Sequence, residues 1–161
     1  MINKTTNTSH AFKHNLVESG ISTYDYDLKK IYVSKSIINT FIKLAKGGFE
    51  AIDFWFNKYK NNGYVKPHNH VAVDGTPNKD CLVGVYYFKK KDKSGDLVVN
   101  KKKIKIKEDD FLIFDTADVH YSLPNKTNQE RIVFSINMRK MRWYKIFTQL
   151  KYFLVNSFLK T

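Results

Sequence analysis

Three of the five histidines in the chain have a spacing that suits metal binding. His68 and His70 are separated by one residue, and His120 ends a later apolar segment. Residues two apart on a β-strand point to the same face, so both imidazoles of the pair would project into one cavity. Two ligands from one strand and a third from a distant strand form a facial site with open positions, which suits non-haem iron and oxygen chemistry. The pair alone is weak evidence, since two exposed histidines on a strand have the same spacing.

The segment that carries these histidines has the pattern of a β-protein. From residue 49 to about residue 139, short apolar runs alternate with clusters of Asn, Asp, Gly and Pro, which favour turns. The predicted strands are 51–59, 64–71, 81–89, 96–99, 104–107, 111–114, 120–123 and 131–138. Eight short strands in succession predict a mainly β fold, a double-stranded β-helix or jelly roll.

Helical patterns flank this core on both sides. Residues 34–45 predict a short N-terminal helix between a serine cap and Gly47-Gly48, after a strand-like stretch at 31–33. Residues 141–161 predict a basic amphipathic C-terminal helix. This helix would cover the sheet or pair with its copy in a homodimer, and the alternative is that it contacts a membrane or another partner.

Length and composition indicate a single domain over residues 1–161, with a polar N-terminal segment at 1–20 and a core at 49–139. A hydrophobic content of 42% excludes general disorder. No apolar run is long enough for a transmembrane span, and residues 1–20 contain no signal-peptide pattern. The single cysteine allows no intrachain disulfide, so we expect a cytoplasmic location.

The chain is strongly basic, with 28 Lys and Arg against 15 Asp and Glu and a net charge of +13. Lysines concentrate at 89–93 and 101–107, which predict a hairpin whose lysines protect an exposed strand edge. The same lysines could contact a polyanion such as nucleic acid. A non-catalytic jelly-roll protein that binds nucleic acid is therefore one alternative function.

The sequences around the histidines resemble those of one enzyme family. Residues 57–70, NKYKNNGYVKPHNH, resemble the strand that enters the metal site of prolyl-hydroxylase-type Fe(II)/2-oxoglutarate oxygenases. Four further segments follow in the family's order. CLVGVYYF at 81–88 resembles the next core strand, and SGDL at 94–97 resembles the Ser-Gly turn. Residues 111–120 resemble the strand with the distal ligand, and ERIVFSIN at 130–137 resembles the strand with the cosubstrate's arginine. The match covers roughly residues 51–139, and the small branch that reads His-X-His is the most similar.

The resemblance implies an Fe(II)- and 2-oxoglutarate-dependent dioxygenase of the hydroxylase type. The three histidines would bind iron, and the cosubstrate 2-oxoglutarate would chelate the iron. Arg131 would bind the far carboxylate of 2-oxoglutarate through a bidentate guanidinium contact, which provides geometry as well as energy. Tyr87, and more weakly Tyr59, would add phenolic hydrogen bonds. The substrate, a protein side chain or a small molecule, is not readable from the sequence.

Two departures from the family pattern leave alternatives open. Most members have a carboxylate where this chain has His70, and three imidazoles would leave the iron site at a charge of +2. Asp74 could supply an oxygen ligand instead. Val133 stands where the family commonly has a hydroxyl residue, and Ser135 and Asn137 are candidates to replace it. The alternative enzyme is a cupin-like three-histidine dioxygenase that does not use 2-oxoglutarate and would not need the arginine.

Overall fold

The computed structural model describes residues 17–22, 32–70 and 80–141 of the chain. These residues form one helix and eight strands. The elements are β1 (Val17–Ser22), α1 (Tyr32–Leu44), β2 (Phe49–His68), β3 (Cys81–Lys89), β4 (Leu97–Val99), β5 (Lys102–Ile104), β6 (Phe111–Asp115), β7 (His120–Ser122) and β8 (Arg131–Lys140). The described part of the chain has no helix with the length and apolar character that a membrane crossing requires.

All eight strands join in one curled antiparallel sheet. The hydrogen-bonded order is β5-β4-β7-β2-β8-β3-β6, and β1 pairs with β2 as well. β2 belongs to both halves of the jelly roll, because it pairs with β8 as far as Tyr59 and with β7 at Val65 and His68. The predicted mainly β, double-stranded β-helix fold is confirmed. A strand shared by both halves allows the sheet to curl around a cavity.

The turn predicted at Asn61-Asn62-Gly63 is wrong, since β2 continues through it. Asn62 has a positive φ of 61°, as Asn tolerates. The Asn62 amide donates to the Asn125 carbonyl at 2.7 Å, and the Asn125 amide donates to the Gly63 carbonyl at 3.0 Å. An irregularity of this kind bends a strand without ending it. Two predicted strands are therefore one, and the total remains eight because β1 was not predicted.

The N-terminal elements differ from the prediction in two respects. α1 is confirmed within two residues at its start, but the strand-like stretch at 31–33 is wrong for Tyr32 and Val33, which begin the helix. The first four residues of β1 fall in the segment expected to be polar and peripheral. Val17 is nevertheless buried, because β1 pairs with the bent part of β2.

Of the two lysine-rich stretches predicted to form a hairpin, only the second takes part, in the hairpin of β4 and β5. The first precedes β4, and its Lys90 is buried. The connection of the hairpin is Asn100-Lys101, and both residues have positive φ, as a two-residue hairpin loop of type I′ requires. β5 is the edge strand of the sheet, and Lys102 and Lys103 on it are exposed. Exposed lysines on an edge strand agree with the predicted protection of that edge.

Two predicted features lie outside the described residues. The C-terminal helix predicted at 141–161 is described only at Met141, whose amide donates to the Gly48 carbonyl at 2.7 Å. Asp74, the alternative metal ligand, also lies outside the described ranges.

The alternation of side chains on β3 and β8 separates the core from the cavity. On β8, Val133 and Ser135 line the cavity, whereas Phe134 and Ile136 belong to the apolar cluster beneath α1. Phe41 of α1 is fully buried in that cluster. The outer face of the sheet is therefore covered by the helix, and the inner face remains available for the functional site.

Candidate metal centre and cosubstrate cavity

The inner face of the curled sheet encloses a cavity of about 280 Å³. Its lining comes from β1, β2, β3, β4, β7 and β8, so both halves of the jelly roll contribute. The three predicted histidines and both predicted tyrosines are among the lining residues. In the part of the chain that the structure describes, no lysine or arginine lines this cavity.

Strands β2 and β7 bring the three histidines together. His68 on β2 is the register partner of His120 on β7. His70 follows the end of β2, and its amide donates to the Thr116 carbonyl at 2.8 Å. The candidate ligand atoms of the three side chains all lie within 4.8 Å of one another. The structure therefore places the predicted residues where a single metal ion could contact all of them.

Hydrogen bonds at Nδ1 orient all three imidazole rings. The acceptors are the Lys66 carbonyl for His68 at 2.8 Å, the Asp118 carbonyl for His120 at 2.9 Å and the Asn137 Oδ1 for His70 at 2.7 Å. An oxygen acceptor at Nδ1 selects the tautomer with a proton on that nitrogen. The Nε2 lone pair is then available for a metal, the usual arrangement of metal-binding histidines.

Burial keeps the imidazoles of His68 and His120 neutral. Removal from solvent is the main cause, and together with the neighbouring imidazoles it lowers the pKa of His68 to about 4 and that of His120 to about 3. The ring of Phe114 lies 4.7 Å from that of His120, and the ring of Trp55 lies 5.9 Å from that of His70. A neutral imidazole is the form that binds a metal ion.

Tyr59 and Tyr87 provide two buried phenols in the same cavity. Their side chains are 2% and 1% exposed, and neither hydroxyl has a hydrogen-bond partner in the described part of the chain. Burial raises the pKa of Tyr87 to about 12 and that of Tyr59 still further, so both phenols remain protonated. The cavity therefore presents two hydrogen-bond donors for which the described protein supplies no acceptor.

Arg131 lies behind the cavity lining. It is fully buried, and its Cζ is 4.4 Å from the centroid of the Tyr59 ring. Its Nη1 and Nη2 atoms donate to five oxygens: the carbonyls of Ser94, Gly95, Leu123 and Gly63, and the Oγ of Ser122. Both terminal nitrogens therefore already donate to the protein. The Nε atom has no hydrogen-bond partner among the described residues. The predicted bidentate contact with the cosubstrate stays a prediction.

Gly95 permits this arrangement. It has a φ of +87°, and a Cβ at this position would collide with Arg131 Nη1 and the Leu123 carbonyl. The Ser94-Gly95 turn recognised in the sequence therefore serves to bring carbonyl oxygens onto the guanidinium.

Sequence reasoning missed two contacts at the site. Ser122 was not considered, although it lies two residues after His120 and so shares its strand face. Asn137 was considered only as a substitute for the hydroxyl absent at Val133, whereas in the structure it orients His70. The spacing of Ser122 was a usable signal, but the contact of Asn137 depends on how β2 and β8 are placed.

A jelly roll whose cavity brings imidazole ligands together and leaves open metal positions suits non-haem iron chemistry. The chain belongs to the 2OG-Fe(II) oxygenase superfamily, whose family model matches residues 54–139. It is therefore a 2-oxoglutarate-dependent oxygenase that uses Fe(II). This membership supports the enzymatic interpretation over a non-catalytic jelly-roll protein.

Solved structures share the fold at low sequence identity. A prolyl-4-hydroxylase from Pseudomonas putida is 15% identical with a TM-score of 0.59, over 83% of this chain and 77% of that one. The viral collagen prolyl hydroxylase of Paramecium bursaria Chlorella virus-1, in complex with 2OG, is 20% identical with a TM-score of 0.56, over 79% and 82%. HygX from Streptomyces hygroscopicus, with nickel and 2-oxoglutarate bound, is 7% identical with a TM-score of 0.61, over 77% and 71%. No curated protein sequence matches the chain.

Proposed function

We propose that the chain is a hydroxylase that binds one iron(II) ion through His68, His70 and His120. The observation that carries the proposal is the grouping of three imidazoles, each held at Nδ1, with ligand atoms within 4.8 Å of one another. Imidazole is a suitable ligand for iron, and three protein ligands leave positions for a cosubstrate and oxygen. The residues present therefore fit the metal of this family.

The second part of the proposal concerns 2-oxoglutarate. Its 2-oxo acid end would face the histidines, and its far carboxylate would lie near Tyr59 and Tyr87. Two protonated phenols without acceptors are suitable donors for a carboxylate, and the buried guanidinium of Arg131 behind Tyr59 supplies positive charge. The donor set of the cavity thus fits a dicarboxylic cosubstrate.

The family's chemistry couples oxidative decarboxylation of 2-oxoglutarate to succinate with oxidation of a C–H bond, and bound Fe(II) supplies the oxygen activation. The protein's contribution is to orient the imidazoles through their Nδ1 contacts and to hold the cosubstrate by donors at its far end. The apolar lining from Val83, Val85 and Val133 limits water near the reacting groups.

The substrate is proposed to be a protein side chain or a small molecule. Both classes are compatible with this fold, since similar structures include prolyl hydroxylases and HygX with hygromycin B bound. Contact with a polyanion through the lysine-rich edge, homodimer formation and a cytoplasmic location stay predictions.

Succinate formation from 2-oxoglutarate tests this function without knowledge of the substrate. We expect purified protein with iron(II) and oxygen to convert 2-oxoglutarate slowly to succinate even without a substrate. His120→Ala should abolish the conversion, whereas Val119→Ala, a change at the exposed neighbouring position, should retain it. Equal succinate formation in the wild type and His120→Ala would contradict the proposed site. Oxygen consumption on a substrate without 2-oxoglutarate would instead support the three-histidine dioxygenase.

A further inference from the structure

Ser122 lies where the buried arginine meets the cavity. Its Oγ accepts a hydrogen bond from Arg131 Nη2 at 2.8 Å and another from the Val65 amide at 3.0 Å. Of the five oxygens that the guanidinium contacts, the Ser122 Oγ is the one whose residue lines the cavity. Ser122 is also 7% exposed and occupies the strand face of His120, two residues earlier on β7.

The hydrogen-bond capacity of a hydroxyl determines what Ser122 can still do. A serine hydroxyl has two acceptor lone pairs and one donor proton. The two donors that approach its Oγ occupy both lone pairs, so the proton remains to be donated. In the described part of the chain it has no acceptor, and the neighbouring guanidinium polarises the O–H bond toward donation.

We propose that the Ser122 hydroxyl donates a hydrogen bond to the far carboxylate of 2-oxoglutarate, and that the Arg131 guanidinium, which donates to the same hydroxyl, strengthens this hydrogen bond. The inference rests on the proposed function. His120 and Ser122 are separated by about 6.6 Å along the strand, which a five-carbon diacid chelated at one end can span. The hydroxyl that the family pattern lacks at Val133 is thus supplied from a different strand.

Binding of two 2-oxo acids to the iron(II) protein under anaerobic conditions tests the proposal. One is 2-oxoglutarate, and the other is 2-oxopentanoate, which has the same chain length but no far carboxylate. We expect Ser122→Ala to weaken 2-oxoglutarate binding about tenfold or more, the usual effect of losing a hydrogen bond to a charged group. The affinity for 2-oxopentanoate should change less than twofold. The dissociation constants are measured by calorimetry and by the visible absorbance of the complex.

Three further variants serve as controls. Ser94→Ala removes a buried hydroxyl that has no hydrogen-bond partner within the ranges that the structure describes. The backbone carbonyl that accepts from Arg131 is retained, so this variant should leave both affinities unchanged. Ser122→Thr keeps the hydroxyl and should retain the preference for 2-oxoglutarate. If Ser122→Ala does not fold, Ser122→Cys is used instead. The thiol is a weak donor of similar size to the hydroxyl, so we expect the same loss of affinity for 2-oxoglutarate.

Each other outcome has a defined meaning. If Ser122→Ala lowers the affinity for 2-oxoglutarate and for 2-oxopentanoate equally, the proposal is overturned, because Ser122 would then support the whole site without selecting the carboxylate. An unchanged affinity for 2-oxoglutarate would overturn it as well. If the wild-type protein binds iron but neither acid, the proposed function fails together with the inference.

Discussion

Replacing Arg131 by methionine should destabilise the fold as well as affect the cosubstrate. The guanidinium is fully buried and contacts five oxygens from three separate stretches of chain. Methionine would leave these acceptors without their donor in a buried region. An acceptor left unsatisfied in a buried region costs about 1–3 kcal/mol, so we expect a total loss of about 3 kcal/mol or more. For a chain of this size, a loss of about 3 kcal/mol lowers Tm by about 6–12 °C.

Urea unfolding and thermal melting of the metal-free protein measure this effect without any cosubstrate. Arg139→Met is the matched control, since Arg139 lies on the same strand and is 55% exposed in an ion pair with Glu50. Exposed ion pairs contribute about 1 kcal/mol or less, so this variant should remain close to the wild type. Equal stability of the two variants would show that the buried contacts of Arg131 do not stabilise the fold. Loss of 2-oxoglutarate binding without loss of stability would instead support a direct guanidinium contact.

Two further predictions concern residues that orient or support the site. Asn137→Ala should weaken iron(II) binding about 10- to 100-fold in anaerobic titration, because His70 loses the acceptor of its Nδ1 proton, whereas Asn137→Asp should retain affinity; equal affinities would contradict this role. Asp96→Asn should cost about 3 kcal/mol near neutral pH, because Lys90, 5% exposed and 3.2 Å from the carboxylate, loses its partner. Burial raises the pKa of Asp96, but Lys90, the Ile106 amide and Lys103 outweigh it, so the folded pKa lies below that of the unfolded chain. The stabilisation is complete above the pKa of Asp96 in the unfolded chain and disappears as pH falls through its pKa in the folded protein. Urea unfolding measures the difference in the free energy of unfolding between variant and wild type. A difference that persists in strong acid would contradict the role of the Asp96 carboxylate.

The strand pattern was readable from the sequence because side-chain alternation is a local property. The histidine pair needed only the period of two along a strand, and the third candidate ligand, His120, was indicated by its place at the end of a later apolar segment. Helix α1 was readable from its apolar spacing and its terminal glycines. Asn61-Asn62-Gly63 was misread because the same residue types serve a turn and a strand bend. What decides between them is the pair of hydrogen bonds to Asn125, far away in sequence.

The environment of Arg131 could not be derived from local sequence. The family resemblance indicated a cosubstrate arginine, but no pattern shows that four carbonyls converge on its guanidinium. Those carbonyls belong to the bend of β2, the Ser94-Gly95 turn and Leu123 after β7. Their convergence depends on how β2, β7 and β8 close around one another. Contacts of this kind are tertiary, and the sequence could name only the residues that take part.

The central claim is that the three-histidine centre holds iron(II) in a form that chelates 2-oxoglutarate. The most direct test is an anaerobic titration of the wild-type protein with iron(II) and then with 2-oxoglutarate, followed by visible absorbance. We expect a weak metal-to-ligand charge-transfer band that saturates at one equivalent of each and is absent in His68→Ala. Tight iron binding without such a band at saturating 2-oxoglutarate would contradict this assignment and favour the three-histidine dioxygenase.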